Sequence, residues 1–224
     1  MTDSDTTDHT SFIRTHTILQ APPLVPELRL HLASEVIGLW NETEALAGGL
    51  KSALGNLPPP YWAFAWAGGQ ALARYVLDHP EDFAQKSVLD FGAGSGLLAI
   101  AAARAGAVPV VAAEIDAFAL AAIEMNASAN DVFVEPLATD IIGTNSRWDI
   151  ILAGDMCYER PLAEQLTQWL RSLATQGTRV LLGDPGRNYF PRSGVTWLAT
   201  YSVPTSRELE DRDMRETSVY LLLP

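Results

Sequence analysis

The sequence has little cysteine and histidine, and neither residue type is arranged for metal binding. Cys157 is the single cysteine among 224 residues, so neither an intrachain disulfide nor a thiolate cluster for zinc or iron–sulfur chemistry can form. The four histidines show neither H-x-x-x-H nor H-E-x-x-H spacing. We therefore expect no metal site, and the shortage of cysteine favours a reducing compartment, with the cytoplasm as the default.

The sequence also lacks a long apolar run and a basic N-terminal segment. Its longest apolar stretch, residues 97–103, is far shorter than the roughly 18–20 residues of a membrane-spanning helix. Residues 1–10 contain three aspartates and no lysine or arginine, whereas secretory and mitochondrial leaders carry basic residues. We therefore expect a cytoplasmic protein with no membrane partner. A mitochondrial location would require a leader that these residues do not show.

Basic residues are scarce relative to acidic ones. The chain has 15 lysines and arginines against 27 aspartates and glutamates, which gives a formal net charge of −12. The mean field of such a protein repels phosphate backbones, so a nucleic-acid partner is disfavoured and a basic protein surface or a cationic group is favoured. Hydrophobic residues make up 48% of the sequence, which excludes a disordered chain and predicts an ordinary globular core. We expect the chain to act as a monomer.

Two proline clusters separate an N-terminal extension from the rest of the chain. They lie in residues 22–26 and 58–60, and because proline restricts both itself and its predecessor, they mark boundaries rather than element interiors. We predict an extension over residues 1–60, packed on or near the active site, and a single domain over residues 61–224.

Short apolar runs alternate with helical patterns in the second part of the chain. The predicted strands are residues 87–91, 110–114, 132–137, 148–153, 178–183, 195–203 and 216–223. The predicted helices are residues 95–105, 116–129 and 161–174, and no clear helix separates the last two strands. The sequence thus predicts a doubly wound, Rossmann-like α/β sheet of seven strands, mostly parallel, with an antiparallel strand at its end.

The strongest local motif is a glycine-rich loop between the first strand of this sheet and its helix. Residues 88–96 read VLDFGAGSG, and glycines such as Gly92 and Gly94 allow a tight turn with a ligand lying against the backbone. Glu114 follows about 20 residues later at the end of the next strand, as expected for an acid that holds a ribose diol. The combination predicts a nucleoside site.

Two details distinguish the nucleosides that could bind. Leu97 stands where the dinucleotide fingerprint requires its third glycine, and the Asp90 carboxylate at the mouth of the loop would repel a pyrophosphate. The same carboxylate would attract the ammonium group of S-adenosylmethionine, which has an adenosine and no phosphate. S-adenosylmethionine is therefore the predicted cofactor, with S-adenosylhomocysteine as its product. A nicotinamide-dependent oxidoreductase and a binding module without catalysis are the alternatives.

Asp140 and Trp66 are two further candidates for the cofactor site. Asp140 follows the third predicted strand, where a doubly wound fold brings a loop beside an adenine, and its carboxylate can accept from the exocyclic amine. It could equally be a turn or capping aspartate. Trp66 precedes a helix and could cover the cofactor or the acceptor, although an aromatic cluster of this kind is more often part of a core.

The end of the fourth strand carries the candidate catalytic groups. Ligands of open α/β sheets lie beyond the carboxyl ends of strands, which places Asp155 and Tyr158 well for catalysis. Methyltransferases that act on base or glutamine amines carry Asn/Asp-Pro-Pro-aromatic here, and the absence of both prolines favours a cationic or aliphatic amine as acceptor. A salt-bridged strand terminus is the alternative for Asp155.

Other residues near these motifs are interpreted without a catalytic role. Cys157 is predicted to be a small buried filler. Asp184, in a Gly-Asp-Pro-Gly-Arg turn, is predicted to serve that turn. Arg160, Arg187 and the acidic residues 208–213 are predicted to be solvated surface rather than a partner contact.

These residues resemble the seven-β-strand methyltransferases, and more narrowly the lysine-specific methyltransferase family 16, whose hallmark Asp-x-x-Tyr is here Asp155 to Tyr158. Within that family the chain most resembles the branch that methylates the electron transfer flavoprotein beta subunit, through residues 61–63, 66–72, 86–90, 148–149, 154–156 and 183–187. The resemblance implies a bacterial protein-lysine N-methyltransferase with that flavoprotein subunit as its partner. Another protein or a small amine is the alternative acceptor.

The resemblance also implies roles for individual residues. Contacts to S-adenosylmethionine would come from Trp66, Gly92, Gly94, Glu114 and Asp140. Asp155 and Tyr158 would line the lysine channel, where Asp155 orients the amine and the Tyr158 ring holds the lysine side chain. Catalysis by such a site is mostly positioning.

Overall fold

The computed structural model of the chain describes residues 3–33, 59–145 and 147–224. Most of the second half of the predicted extension, residues 34–58, lies outside the described residues. The division of the chain at residue 60 therefore stays a prediction.

Helices and strands alternate along the described chain. The helices are α1 (Asp3–His16), α2 (Ala67–Asp78), α3 (Leu97–Arg104), α4 (Ala117–Ala129), α5 (Arg160–Thr175) and α6 (Arg207–Glu210), with 3-10 turns at Tyr61–Ala63 and Pro80–Asp82. The strands are β1 (Thr17–Gln20), β2 (Leu30–Ala33), β3 (Val88–Phe91), β4 (Val110–Ala113), β5 (Glu135–Leu137), β6 (Ile150–Gly154), β7 (Arg179–Asp184), β8 (Val195–Pro204) and β9 (Met214–Leu222). All seven strands and three helices predicted after residue 86 are present, and the ends of most differ slightly from the predicted ones.

The prediction that no helix separates the last two strands is wrong. α6 forms a single turn between β8 and β9. Its last residue is Glu210, and the next residue, Asp211, caps the helix with a left-handed φ of 59°. A helix of four residues is too short to show a 3.6-residue period in the sequence. The turn matters because it carries Glu210, which is buried.

The seven later strands form one sheet in the order β5-β4-β3-β6-β7-β9-β8. β3 pairs in parallel with β4 on one side and with β6 on the other, and β5 and β7 extend the parallel part. β9 lies between β7 and β8 and is antiparallel to both. This confirms the predicted fold class, a doubly wound Rossmann-like α/β sheet that is mostly parallel with an antiparallel strand near its end.

The sheet is covered on both faces, as its continuous apolar strands require. Successive side chains of a strand point to opposite faces, and β3 shows this alternation. Val88 packs into the core that contains α2 and α3. Leu89 and Phe91 pack into the core on the other face, which contains Trp169 and other residues of α5. The carboxyl ends of the parallel strands are therefore held rigidly between two packed layers.

The N-terminal elements pack beside α4. β1 and β2 form an antiparallel hairpin, and the Phe12 ring of α1 lies 5.1 Å from the Phe118 ring of α4. The His31 N–H of β2 donates to the Asn126 Oδ1 at 2.7 Å. Within the described ranges, no helix has both the length and the apolar character needed to cross a membrane.

Candidate active site

A cavity of about 770 Å³ opens at the carboxyl ends of β3, β4 and β6. The strand order diverges there, with β4 and β5 on one side of β3 and β6 and β7 on the other, which is where ligands of doubly wound folds bind. The eight residues predicted as site residues all line this cavity: Trp66, Asp90, Gly92, Gly94, Glu114, Asp140, Asp155 and Tyr158. The structure brings them together in one place, while their individual roles stay predictions.

The loop between β3 and α3 has a backbone that glycine permits. Gly92, Gly94 and Gly96 have φ values of 64°, 52° and 78°, all in the left-handed region. A Cβ on Gly92 would lie 2.6 Å from the Met156 sulfur. The loop therefore presents bare backbone to the cavity, and a side chain at Gly92 would displace the end of the Met156 side chain.

Glu114 follows β4 and holds this loop by a hydrogen bond. Its Oε2 accepts a hydrogen bond from the Gly94 N–H at 2.9 Å. Its Oε1 accepts from the N–H groups of Ile115 and Asp116 at 2.7 and 3.1 Å. A carboxylate offers about four lone-pair sites, so these bonds leave Glu114 with capacity for a hydroxyl donor in the cavity.

Asp90 lies deeper than the sequence predicts. It is a residue of β3 that is 1% exposed, beneath the glycine loop rather than at its mouth. Its Oδ2 accepts from the Ala99 N–H of α3 at 2.9 Å, and its Oδ1 accepts no hydrogen bond from any residue in the described ranges. Burial, with a smaller contribution from Glu114, raises the pKa of Asp90 to about 7. A cation in the cavity would offset that cost of burying the charge.

Asp140 and Trp66 combine a local structural role with a place at the cavity. The Asp140 Oδ1 accepts from the Ile142 N–H at 3.0 Å, which is the predicted turn role, and the residue also lines the cavity. Trp66 precedes α2, is half-buried and packs against the buried cluster that contains Trp62 and Phe64. Its Nε1–H donates to the Tyr61 carbonyl at 2.9 Å, which fixes the orientation of the indole ring.

Three aromatic side chains border the cavity and are called the aromatic rim here: Tyr61, Trp66 and Tyr158. The Tyr61 ring centroid lies 5.7 Å from that of Tyr158 and 5.9 Å from that of Trp66. Burial raises the pKa of both tyrosines, so they are neutral phenols at physiological pH. The sequence reasoning gave no role to Tyr61, because the contact joins residues from distant parts of the chain.

Asp155 follows β6 in a strained backbone conformation. Its φ of 58° is left-handed, which costs an L-residue on the order of 1–2 kcal/mol. Its Oδ2 accepts from the Gly69 N–H of α2 at 2.9 Å, and its Oδ1 accepts from Arg187. Burial raises the pKa of Asp155 to about 6, although Arg187 opposes the rise. A strained, buried carboxylate beside a cavity is typical of a functional site, and the salt bridge predicted as the alternative is present as well.

The prediction that Arg187 is solvated surface is wrong, and so is the same prediction for Glu210. The Arg187 side chain is 18% exposed and bridges Asp155 and Glu210, and the Glu210 side chain is 1% exposed. The guanidinium carbon of Arg187 also lies 5.7 Å from the centroid of the Trp66 ring. Arg160, in contrast, is exposed as predicted.

A signal for Arg187 was available in the sequence. The residue follows the Asp-Pro-Gly turn directly after β7, and β7 is the neighbour of the strand that ends before Asp155. The carboxyl ends of adjacent parallel strands lie side by side, so residues that follow them are close in space. The composition around Arg187 pointed instead to an ordinary exposed turn.

Cys157 and Asp184 have the structural roles predicted for them. Cys157 is 6% exposed, and burial raises the pKa of its thiol to about 12. The Asp184 Oδ1 accepts from the N–H groups of Gly186 and Arg187, each at 2.7 Å. Among the described residues, no group of three or more histidines, cysteines or acids is placed to hold a metal ion.

The sequence of this chain is similar to those of known methyltransferases. The family model described as ribosomal protein L11 methyltransferase (PrmA) matches residues 70–183. The electron transfer flavoprotein beta subunit lysine methyltransferase of Danio rerio is 40% identical over 210 residues, covering 91% of this chain and 78% of that protein. The Xenopus laevis protein of the same name is 39% identical over 223 residues, covering 96% of this chain and 87% of that protein.

A solved structure supports the fold. Magnesium protoporphyrin IX methyltransferase from Synechocystis PCC 6803, with bound SAM, superposes with a TM-score of 0.53 at 14% identity, covering 81% of this chain and 97% of that one. This likeness shows the Rossmann-like methyltransferase fold, and the identity to the sequence relatives extends over nearly the whole chain. The chain belongs to the family of the electron transfer flavoprotein beta subunit lysine methyltransferases.

Proposed function

We propose that this protein transfers methyl groups from S-adenosylmethionine to lysine side chains of the electron transfer flavoprotein beta subunit. The observation that carries the proposal is that one cavity joins the glycine loop and Glu114 to the buried Asp155 carboxylate and the aromatic rim. Support for the acceptor comes from relatives that are named for this reaction and match over most of their length.

On the donor side, the residues fit an adenosine that carries a cationic amino-acid group. Gly92 and Gly94 line the cavity without side chains of their own, and Glu114 has free acceptor capacity for ribose hydroxyls. The Asp90 carboxylate would pair with the ammonium group, and Asp140 would accept from the adenine amine. S-adenosylmethionine, when bound, supplies an electrophilic methyl group on its sulfonium.

On the acceptor side, the aromatic rim would hold a lysine side chain. The Tyr61 and Tyr158 rings lie 5.7 Å apart and Trp66 lies next to Tyr61. Aromatic faces attract both methylene groups and ammonium groups. Because the chain carries a net charge of −12, its mean field also draws basic side chains toward it.

We assign Asp155 to orienting the amine and stabilising positive charge. Methyl transfer to an amine moves positive charge onto the nitrogen, and a fixed carboxylate stabilises that charge as it develops. Proton removal is a poor task for this group, since a carboxyl with a pKa of about 6 is a weak base toward an amine with a pKa near 10.4. The lysine must therefore reach the donor as the neutral amine that exists as a minor form in equilibrium with the solvent.

Intact-mass spectrometry of the flavoprotein tests the proposal. Incubation with this protein and S-adenosylmethionine should add one-methylene increments to the beta subunit. Asp155→Asn should lower the rate by about 10²–10³-fold, the loss typical of removing one group that stabilises transition-state charge. Asp131→Asn is the matched control, because Asp131 also has a left-handed φ, of 54°, but is exposed and lies outside the cavity.

Binding of S-adenosylhomocysteine, measured by calorimetry, separates the other outcomes. Binding without any mass increment would keep the methyltransferase and replace the acceptor by another protein or a small amine. Absence of both binding and increments would return the site to a nicotinamide-dependent or non-catalytic function. Full activity of Asp155→Asn would contradict the role given to Asp155.

A further inference from the structure

Arg187 is clamped between two buried carboxylates. Its Nε and Nη2 donate to the Asp155 Oδ1 at 3.2 and 2.8 Å. Its Nη1 and Nη2 donate to the Glu210 Oε2 and Oε1 at 3.1 and 2.7 Å. The planar guanidinium thus uses one edge for each acid. The pair with Glu210 is bidentate, which fixes geometry as well as charge, whereas both bonds to Asp155 converge on its Oδ1.

The three groups come from separate segments that the sheet brings together. Asp155 follows β6, Arg187 follows β7, and Glu210 ends α6 in the connection between β8 and β9. The turn before Arg187 is itself fastened, because the Asp184 Oδ1 accepts from the Arg187 N–H at 2.7 Å. The side chains of Asp155, Arg187 and Glu210 are 10%, 18% and 1% exposed. An assembly this buried is not a surface salt bridge, which would contribute little.

The charges around Asp155 show what Arg187 supplies. Arg187 is the cation that contacts Asp155, and Glu210 lies behind it, with the Arg215 Nε 3.4 Å from the Glu210 Oε2. The Asp184 carboxyl and the Cys157 thiol are further titratable groups near Asp155. From α2, the Gly69 N–H donates to the Asp155 Oδ2. Burial favours the neutral form of a carboxyl, whereas an adjacent cation favours the ionised form. Without Arg187, Asp155 and Glu210 would be two carboxyls with no cation directly between them.

We propose that Arg187 is a positioning residue that keeps the Asp155 carboxylate ionised and aimed at the aromatic rim. The inference rests on the proposed role of Asp155 in methyl transfer. A neutral carboxyl cannot stabilise positive charge that develops on the acceptor nitrogen, and an untethered one would rotate away from it. Arg187 holds the Oδ1 while the Gly69 N–H holds the Oδ2, which leaves the carboxylate a single orientation.

If Arg187 had only a structural role, its loss would have a different effect on activity. Its loss would lower the stability of the fold and would lower activity equally at every pH. Loss of a group that sets the ionisation of Asp155 would lower activity most at neutral pH and less at high pH. The reason is that a carboxyl with a raised pKa ionises again once the pH exceeds that pKa.

The test uses Arg187→Gln and Arg187→Lys in the full chain, with ¹³C NMR titration of labelled aspartate carboxyls. The Asp155 signal is assigned from its loss in Asp155→Asn. We expect Arg187→Gln to raise the pKa of Asp155 by about 1–3 units, the usual effect of losing an adjacent opposite charge. Its kcat at pH 7 should fall by about two- to a hundredfold, which is the loss of ionised Asp155 as its pKa moves from about 6 to about 7–9, and the deficit should shrink at pH 9. Arg187→Lys keeps a cation and should restore much of both properties.

Two controls keep the result interpretable. Arg207→Gln removes an arginine of α6 whose side chain is 77% exposed and pairs with Asp213, so it should change neither the titration nor kcat. Binding of S-adenosylhomocysteine to Arg187→Gln should stay within about threefold of the wild type, since the change lies on the acceptor side. If Arg187→Gln does not fold, the wild-type titration decides, because an Asp155 that is protonated at pH 7 overturns the inference.

The failures of the two proposals are distinguishable. An unchanged Asp155 titration in Arg187→Gln, with Asp155→Asn inactive, overturns only the inference about Arg187. The same holds if Arg187→Gln and Arg187→Lys lose equal activity at all pH values. Full activity of Asp155→Asn overturns the proposed role of Asp155, and the inference about Arg187 falls with it.

Discussion

Asp90 combines nearly complete burial with one protein hydrogen bond, from the Ala99 N–H. Its pKa of about 7 lies above the value of 3.8 for an unperturbed aspartate, because water cannot solvate the charge. Between these two pKa values the folded protein binds the proton more tightly than the unfolded chain does. The stability contributed by this group is therefore present at low pH and is lost as the pH rises through about 4 to 7.

We expect Asp90→Asn to raise the free energy of unfolding at pH 8, by on the order of a few kcal/mol, and to raise it less at pH 5. Asparagine keeps an acceptor for the Ala99 N–H and removes the charge, with an amide NH2 in place of the Oδ1. Urea unfolding at the two pH values measures the difference, with the exposed Asp131→Asn as the control. An effect of equal size at both pH values would show that packing, not ionisation, is responsible.

A substitution of Gly92 should affect ligand binding. Alanine at this position would adopt a left-handed φ and place its Cβ 2.6 Å from the Met156 sulfur. We expect Gly92→Ala to weaken S-adenosylhomocysteine binding at least about tenfold, because the new methyl group displaces the end of the Met156 side chain, which lines the same cavity, and strains the left-handed backbone of the loop. Gly143→Ala is the matched control, since Gly143 has a φ of 83° but no atom within 4 Å of the point where a Cβ would stand. Equal binding by both variants would contradict the steric role of Gly92.

α2 approaches β6 and β7 through glycines. A Cβ on Gly68 would overlap the Gly183 carbonyl and lie 2.6 Å from the Asp155 Oδ2, whereas a Cβ on Gly69 would meet only the Leu97 side chain at 3.7 Å. Gly154 and Gly183 are paired in register on the two strands. The close approach places the Gly69 N–H within hydrogen-bond distance of Asp155.

The two adjacent glycines should respond in opposite directions. We expect Gly68→Ala to lower the free energy of unfolding by about 1–3 kcal/mol, as overpacking does. Gly69→Ala should leave stability unchanged or raise it by up to about 1 kcal/mol, because alanine is the better helix former. Thermal or urea unfolding of the pair is the measurement. The absence of a loss in Gly68→Ala would mean that the helix does not approach the strands as closely as described.

The parallel part of the sheet was predictable because its strands are buried on both faces and read as short apolar runs, as residues 150–154 do. The position of β9 between β7 and β8 was not predictable in the same way. β8 and β9 have side chains of mixed exposure, so their pattern does not specify which neighbour each strand pairs with. α6 is too short to leave a periodic signal.

The molecule as a whole carries excess negative charge, and its proposed acceptor is a lysine-bearing protein surface. Association between unlike charges is steered over distances near the Debye length and weakens as salt is added. We expect kcat/KM for the flavoprotein beta subunit to fall about three- to tenfold between low and high NaCl, with kcat nearly constant. Steady-state kinetics across a salt series measure this. A salt-independent kcat/KM would contradict electrostatic steering.

The eight predicted site residues meet at the cavity because most of them lie at the carboxyl ends of parallel strands, and that rule can be applied without a structure. The contacts that were missed join more distant segments. Arg187 meets Asp155 across 32 residues and Glu210 across 23. The first pair follows from the adjacency of β6 and β7. The second depends on where the last hairpin folds back, which is a property of tertiary packing rather than of local pattern.

The donor groups and the assembly that positions Asp155 are encoded by different stretches of the chain. The glycine loop and Glu114 belong to the β3–β4 unit, whereas Arg187 lies in the turn after β7 and Glu210 lies in the connection of the closing hairpin. Exchange of that hairpin between related genes would therefore alter the partner of Arg187 while leaving the glycine loop and Glu114 intact. In evolutionary terms, the fold allows the positioning of its acceptor-side carboxylate to diverge at one edge of the sheet without rebuilding the nucleoside site.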